Sequence, residues 1–128
     1  MGIHIDLITA DLRCRSEASA HAAAAIIHGH AWMSPYHVRV SVHPPSATSA
    51  WRLVIDHFQG DHWHEDESRA VWLALTPYMA NGATIEFEGP GYERWRIRWA
   101  QGRVFEDITE EVRWTVAEEI TPPDKEAP

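Results

Sequence analysis

Imidazole and carboxylate groups are concentrated in one stretch, Asp56-His57-Phe58-Gln59-Gly60-Asp61-His62-Trp63-His64-Glu65-Asp66-Glu67. Imidazole nitrogen is a good donor to zinc, copper or nickel. In a locally extended segment His62 and His64 project to one side, with His57 in reach across the Gly60 turn. Asp56, Asp61 and Glu65 can supply a fourth ligand or orient the imidazoles from behind. A three-histidine site with an open position activates water, so the cluster admits a zinc-like centre or a metal-dependent hydrolase. There is no His-Glu-x-x-His and no cysteine pair. The competing reading is a polar loop between a strand and a helix, with Asp66 and Glu67 at the positive end of the helix dipole. The residues favour the loop: no cofactor is expected, although zinc or another divalent transition metal is the one they could hold.

A second constellation is the row Arg94, Arg96 and Arg98. Guanidinium groups in register along a sheet face can hold a phosphate or a carboxylate. Glu86, Glu88 and Glu106 are expected to share that face and neutralise it, which makes a salt-bridged solvent surface the stronger reading. His28-Gly29-His30 falls at a helix end, where imidazolium caps the negative pole of the dipole. No serine stands in a nucleophile-elbow context, Cys14 has no assigned base, and no glycine-rich phosphate loop is present. No catalytic residue is assigned.

The tryptophans divide differently. Trp51, Trp72, Trp95, Trp99 and Trp114 fall on apolar faces, whereas Trp32 and Trp63 fall in predicted loops, the first beside Met33 and Tyr36 and the second inside the histidine cluster. Aromatic residues beside polar loops are typical anchors for a partner. Trp32, Tyr36 and Trp63, with the acidic Asp61, Glu65 and Asp66, form the candidate partner-binding surface.

The elements that must position these groups can be read from periodicity. Ala83 to Glu88 and Arg94 to Trp99 alternate apolar and charged residues, and a five-residue loop from Gly89 to Glu93 sets Glu88 against Arg94, Glu86 against Arg96, Phe87 against Trp95 and Ile85 against Ile97. A loop one residue shorter fails on both faces. Ile3, Ile5 and Leu7 predict a first strand over 2–9. Ser16 is placed to cap an alanine-rich helix over 17–28, with Gly29 as its stop. Val38, Val40 and Val42 predict a second strand and 51–58 a third, separated by a Pro44-Pro45 loop. Asp66 or Ser68 is the expected cap of a second helix carrying Val71, Trp72, Leu75, Tyr78 and Met79, interrupted at Pro77, where Thr76 can start a fresh turn. A three-residue loop, Ala100 to Gly102, would put Phe105 beside Ile97 and Glu106 beside Arg96, a two-residue loop being the alternative. The stretch 109–120 reads as a strand and 121–128 as a disordered tail. The expected fold is α+β, a mostly antiparallel sheet of five to seven strands with two helices. Its order is ferredoxin-like (βαββαβ) with an added C-terminal β-meander, in a single domain over 1–120.

The composition bounds the partners. The chain has 128 residues and a formal net charge of -8, which argues against direct nucleic acid binding and leaves open a basic protein partner. With nine histidines and 11 Lys and Arg against 19 acids, the charge can move to as far as +1 as the solution acidifies. One cysteine, no basic-then-apolar leader and no apolar span point to a cytoplasmic protein without membrane attachment. An open edge strand leaves a homodimer open as well.

The run Leu73-Ala74-Leu75-Thr76-Pro77-Tyr78 through Ala83-Thr84-Ile85-Glu86-Phe87-Glu88-Gly89, with Glu93-Arg94-Trp95-Arg96 and Gly102-Arg103-Val104-Phe105-Glu106, resembles small uncharacterised bacterial and phage-borne proteins. In those a leucine-rich helix precedes a Gly-x-x-Ile-Glu-Phe strand and a Trp-Arg strand. The likeness covers about 35 residues and departs at Pro90-Gly91-Tyr92, where the pattern has an acidic turn. It carries no assigned activity and implies a mobile-element setting. There a compact acidic protein can block a host defence complex that binds nucleic acid, as anti-CRISPR inhibitors do. The expected function is therefore non-catalytic binding of a partner protein, with a metal-binding domain or hydrolase at His57, His62 and His64 as the alternative.

Overall fold

A computed structural model describes residues 4–30, 37–47, 49–61 and 64–109. Among them the elements run β1 (His4–Arg13), α1 (Glu17–Gly29), β2 (Val38–His43), β3 (Arg52–Phe58), β4 (Gly60–Asp61), α2 (Glu65–Ala74), a short 3-10 turn (Thr76–Tyr78), β5 (Thr84–Glu88), β6 (Arg94–Ala100) and β7 (Arg103–Ile108). The fold is α+β, with two helices and a seven-stranded sheet in the order β2-β3-β1-β5-β6-β7, β4 pairing with β1. Every strand pairing is antiparallel. The expected strand at 109–120 and the tail at 121–128 lie outside the described residues, Thr109 apart.

The β5–β6 hairpin has the register that charge and apolar alternation require. Glu88 pairs with Arg94, Phe87 with Trp95, Glu86 with Arg96 and Ile85 with Ile97. The β6–β7 connection differs from the three-residue expectation. Ala100 pairs directly with Arg103, so Gln101 and Gly102 alone make the turn, both at positive φ (53° and 77°) as a two-residue type I′ hairpin requires. One residue fewer in the loop moves every β7 side chain to the other face. Asp107, not Glu106, pairs with Arg96, and Phe105 pairs with Arg98 while Glu106 joins the Ile97 face.

β1 runs further than its first alternation suggests because it contains a bulge. Leu7 pairs with Phe87 and Thr9 with Glu86, leaving Ile8 as the extra residue, and the buried phase resumes at Leu12 and Cys14. β3 carries its own bulge at Asp56, since Arg39 pairs with His57 and Val40 with Ile55.

Ser16 caps α1 as expected, accepting the backbone N–H of Ser19 at 3.1 Å. The helix includes Gly29, and His30 ends it in extended geometry, so no left-handed glycine stops it. α2 begins earlier than expected, at Glu65, with His64 rather than Asp66 or Ser68 as its cap residue. It stops at Ala74, and Pro77 occupies the 3-10 turn that follows, which Leu75 rather than Thr76 caps. The Thr76 hydroxyl donates to Leu73 O at 2.5 Å and accepts the Trp99 indole N–H at 3.3 Å, tying this turn to β6.

One buried cluster joins Ala20, Ala23 and Ile27 of α1 and Val71 and Trp72 of α2 to Leu12, Leu53, Ile85, Phe87, Ile97 and Trp99 of the sheet. Both helices therefore cover the same sheet face, and α1, faced with alanine, can lie close to it. Fully burying a Leu- or Phe-sized side chain contributes about 1.5–3 kcal/mol, so these residues dominate the favourable side of folding. No helix among the described residues is long and apolar enough to cross a membrane.

Candidate functional site

Where α2 begins, the sheet and the helix layer part to form a narrow cleft. Its floor is aromatic. Phe87 sits at the centre, 5.6 Å from the Phe58 ring, 6.0 Å from Trp72 and 5.8 Å from Trp95, centroid to centroid. The alternation of β5 and β6 supplies Phe87 and Trp95, and the position of Trp72 one helical turn after Ser68 supplies the third ring. The Trp72 indole N–H donates to Ser68 Oγ at 3.0 Å, so this largely buried ring keeps its polar atom satisfied. Gly60 of β4 completes the wall: a Cβ there would stand 2.7 Å from the Phe58 ring and 3.2 Å from Ile5 Cβ.

The rim is charged. Among the described residues, Asp61, Glu65, Glu106 and Arg69 are the charged groups that line the cleft. Asp61 Oδ1 accepts the His64 backbone N–H at 3.0 Å and lies 2.8 Å from His64 Nδ1, which anchors the start of α2 and orients that imidazole. Arg69 Nε donates to Glu106 Oε1 at 3.1 Å, linking α2 to β7 beside the cleft. The cavity left inside is about 20 Å³, room for about one water.

Of the residues chosen from sequence as a partner surface, Asp61 and Glu65 line this cleft, and Asp66 is exposed in the first turn of α2 outside its lining. Trp32, Tyr36 and Trp63 lie outside the described residues. Glu106, Arg69 and the four rings were not singled out as a site. The rings read as core from their periodicity, and Glu106 was assigned to the opposite face. The two-residue Gln101-Gly102 turn was the signal that could have corrected it.

For the metal cluster, His57 is in β3 opposite Arg39, His64 stands at the start of α2 against Asp61, and His62 lies outside the described residues. Among the described residues no group of three or more His, Cys, Asp or Glu side chains could hold a metal ion. His28 at the end of α1 accepts the Val40 N–H through Nε2 at 3.3 Å, joining helix to strand.

The arginine row lies on the sheet face away from the helices, and carboxylates hold each member. Arg94 Nε meets Glu88 at 3.1 Å, and Asp107 takes both Arg96 Nε at 2.7 Å and Arg98 Nε at 2.9 Å. Arg98 also lies over the Phe105 ring, 4.5 Å from its centroid. Hydrogen bonds from Arg98 and Arg96 hold the Asp107 carboxyl down at about 2. An anion approaching this row would have to displace those carboxylates.

The class of protein these features define is an α+β domain with an antiparallel sheet, helices on one face, and an acid-rimmed aromatic cleft where the second helix starts. No family model, no curated protein and no solved structure matches the chain.

Proposed function

We propose that this chain is a non-catalytic binding protein that acts on a partner protein through the acidic and aromatic surface at the start of α2. One observation carries the reading: Asp61 and Glu65, chosen from sequence as partner residues, stand at the mouth of a cleft floored by Phe58, Trp72, Phe87 and Trp95. An aromatic centre inside a polar rim is the composition of binding hot spots. The net charge of -8 favours a basic partner and speeds encounter with it. Complexes that bind nucleic acid carry such basic surfaces, and the mobile-element resemblance supports an inhibitor of a host defence complex acting in the cytoplasm. The adjacency β2-β3-β1-β5 supports the ferredoxin-like order for the body of the fold, with β6 and β7 added as a meander.

The test is complex formation with nucleic-acid-binding defence complexes, followed by size exclusion at low and moderate salt. The wild-type chain is expected to form a complex that an Asp61→Asn/Glu65→Gln variant weakens at least tenfold. Absence of any complex at both salt concentrations overturns the reading.

One contact favours the metal alternative. Asp61 orients the His64 ring through Nδ1, as carboxylates behind metal-binding histidines do. Elemental analysis of untagged protein decides it: metal below a tenth of an equivalent, unchanged when His57, His62 and His64 become Ala, removes that alternative.

A further inference from the structure

We infer that the outer edge of β2 pairs with the same edge of a second copy of the chain, and that His28 gates this pairing. The edge is closed while the His28 ring accepts the Val40 N–H, and it opens when the ring takes up a proton. This goes beyond the binding reading above and uses the opposite end of the sheet from β7.

β2 ends the sheet, and among the described residues no strand lies beyond it. The direction of its peptide groups is fixed from two sides. The Val40 N–H donates to His28 Nε2 at 3.3 Å, so Val40 turns away from β3, and strand alternation turns Val38 and Val42 the same way. From the other side, the Cys14 N–H donates to Trp51 O, which aims Trp51 and Leu53 at β1 and leaves Arg52 and Val54 to bond their partners His43 and Ser41. Val38, Val40 and Val42 thus present an N–H and a C=O outward at every second residue, a row that an extended backbone matches. His28 interrupts that row at its centre.

A second copy fits because the row is its own complement. Antiparallel pairing with Val38 opposite Val42 of the second copy, and Val40 opposite Val40, satisfies all three residues on both chains and sets valine beside valine on the helix-covered face. On the other face Arg39 then stands opposite Ser41. The neighbouring register, centred on residue 39, sets Arg39 against Arg39 and is opposed by like charge.

An imidazole accepts through Nε2 only while neutral; the protonated ring donates from both nitrogens and releases the Val40 N–H. The charged groups that line the groove with His28 are Arg39 of β2 and Asp56 of β3, one of each sign. On α1 itself residues 22–27 are all Ala or Ile. Of the other elements packed on α1, α2 brings Ala70, Val71 and Ala74 to the flank of Ile26, and the 3-10 turn brings Tyr78. Acid also removes the general repulsion between copies, since nine histidines carry the net charge from -8 towards +1. A basic partner loses attraction over the same range, whereas two copies of an acidic chain cease to repel.

The test is sedimentation equilibrium of the full chain in moderate salt at pH 8 and at about pH 5.5, which bracket imidazole titration. The dimer dissociation constant is expected to be at least tenfold lower in acid, with Val38 and Val42 amides gaining at least tenfold protection from hydrogen exchange on dimerisation. His28→Gln, whose amide oxygen can accept the Val40 N–H at either pH, is expected to weaken the acid dimer at least fivefold. Ser41 stands on the sheet face away from the helices, so its variants test the register without entering the core. Ser41→Arg sets like charges together and is expected to weaken the dimer at least threefold, and Ser41→Glu to strengthen it by a similar factor. A chain that stays monomeric at both pH values overturns the inference. So does acid association that is equal in wild type, His28→Gln and both Ser41 variants, which would be general association at low net charge.

Discussion

Leu12 pairs with Leu53, yet two residues along the same strands Ala10 does not pair with Ile55. The Cys14 N–H donates to Trp51 O at 2.7 Å, so by antiparallel alternation Leu12/Leu53 and Ala10/Ile55 are the next positions whose peptide groups point between β1 and β3. The register at the far end is the same, because Ile5 pairs with Gly60 and His4 with Asp61. Equal lengths of chain, 6–11 and 54–59, therefore lie between two clamps without pairing. Both bulges, Ile8 and Asp56, fall inside that interval, and the strands bow apart around a cavity of about 240 Å³. Ala10 is exposed although its partner across β5, Ile85, is fully buried.

The opening has a measurable signature. The backbone amides of Ala10 and Ile55 are expected to exchange with solvent at least tenfold faster than those of Leu12 and Leu53, as read by residue-resolved hydrogen exchange. Equal protection at the four sites would mean that the strands are zipped.

Asp107 should govern part of the acid response. Arg98 and Arg96 lower its carboxyl from 3.8 to about 2 in the folded chain. A depressed carboxyl contributes stability above its unfolded value, and this is lost as pH falls through the folded value. Asp107→Asn is therefore expected to be less stable than wild type at pH 7, with the difference vanishing between about pH 4 and 2. Urea midpoints across that range check it, and a constant difference down to pH 2 contradicts it.

Cys14 should be inert. Burial raises its thiol to about 11, and its Sγ donates to Leu12 O at 3.5 Å. Alkylation by iodoacetamide at pH 8 is expected to be at least a hundredfold slower in the folded chain than in urea. Stability from this group is full below its ordinary value of 9.0 and falls as pH rises towards 11. Rapid alkylation of folded protein would place the thiol at the surface.

Two glycines test close approach and turn geometry separately. Gly60→Ala drives a methyl against the Phe58 ring and Ile5, an overpacking expected to cost about 1–3 kcal/mol. Gly102→Ala meets no backbone crowding but must hold φ at +77°, which costs about 1–2 kcal/mol. Denaturant midpoints measure both. An unchanged Gly102→Ala midpoint would argue against the two-residue turn.

Much of the architecture was legible because alternation is a local property. Glu86, Glu88, Arg94 and Arg96 against Ile85, Phe87, Trp95 and Ile97 leave one workable hairpin register, and Ser16 with an alanine run specifies α1. The β7 register was harder, because two- and three-residue loops fit the same residues and only the left-handed pair Gln101-Gly102 decides between them. Sequence periodicity alone determined which residues face the interior of β5, β6 and α1, since a two-residue or 3.6-residue repeat needs no distant information. Tertiary structure decided which interior faces fail to close. The cleft brings residues from β1, β3, β4, α2, β6 and β7 around Phe87 of β5, and the opening beside Ala10 needs bulges on two strands 48 positions apart, Ile8 and Asp56, to coincide. Such coincidences depend on how strands pair across the sheet, and no local pattern encodes them.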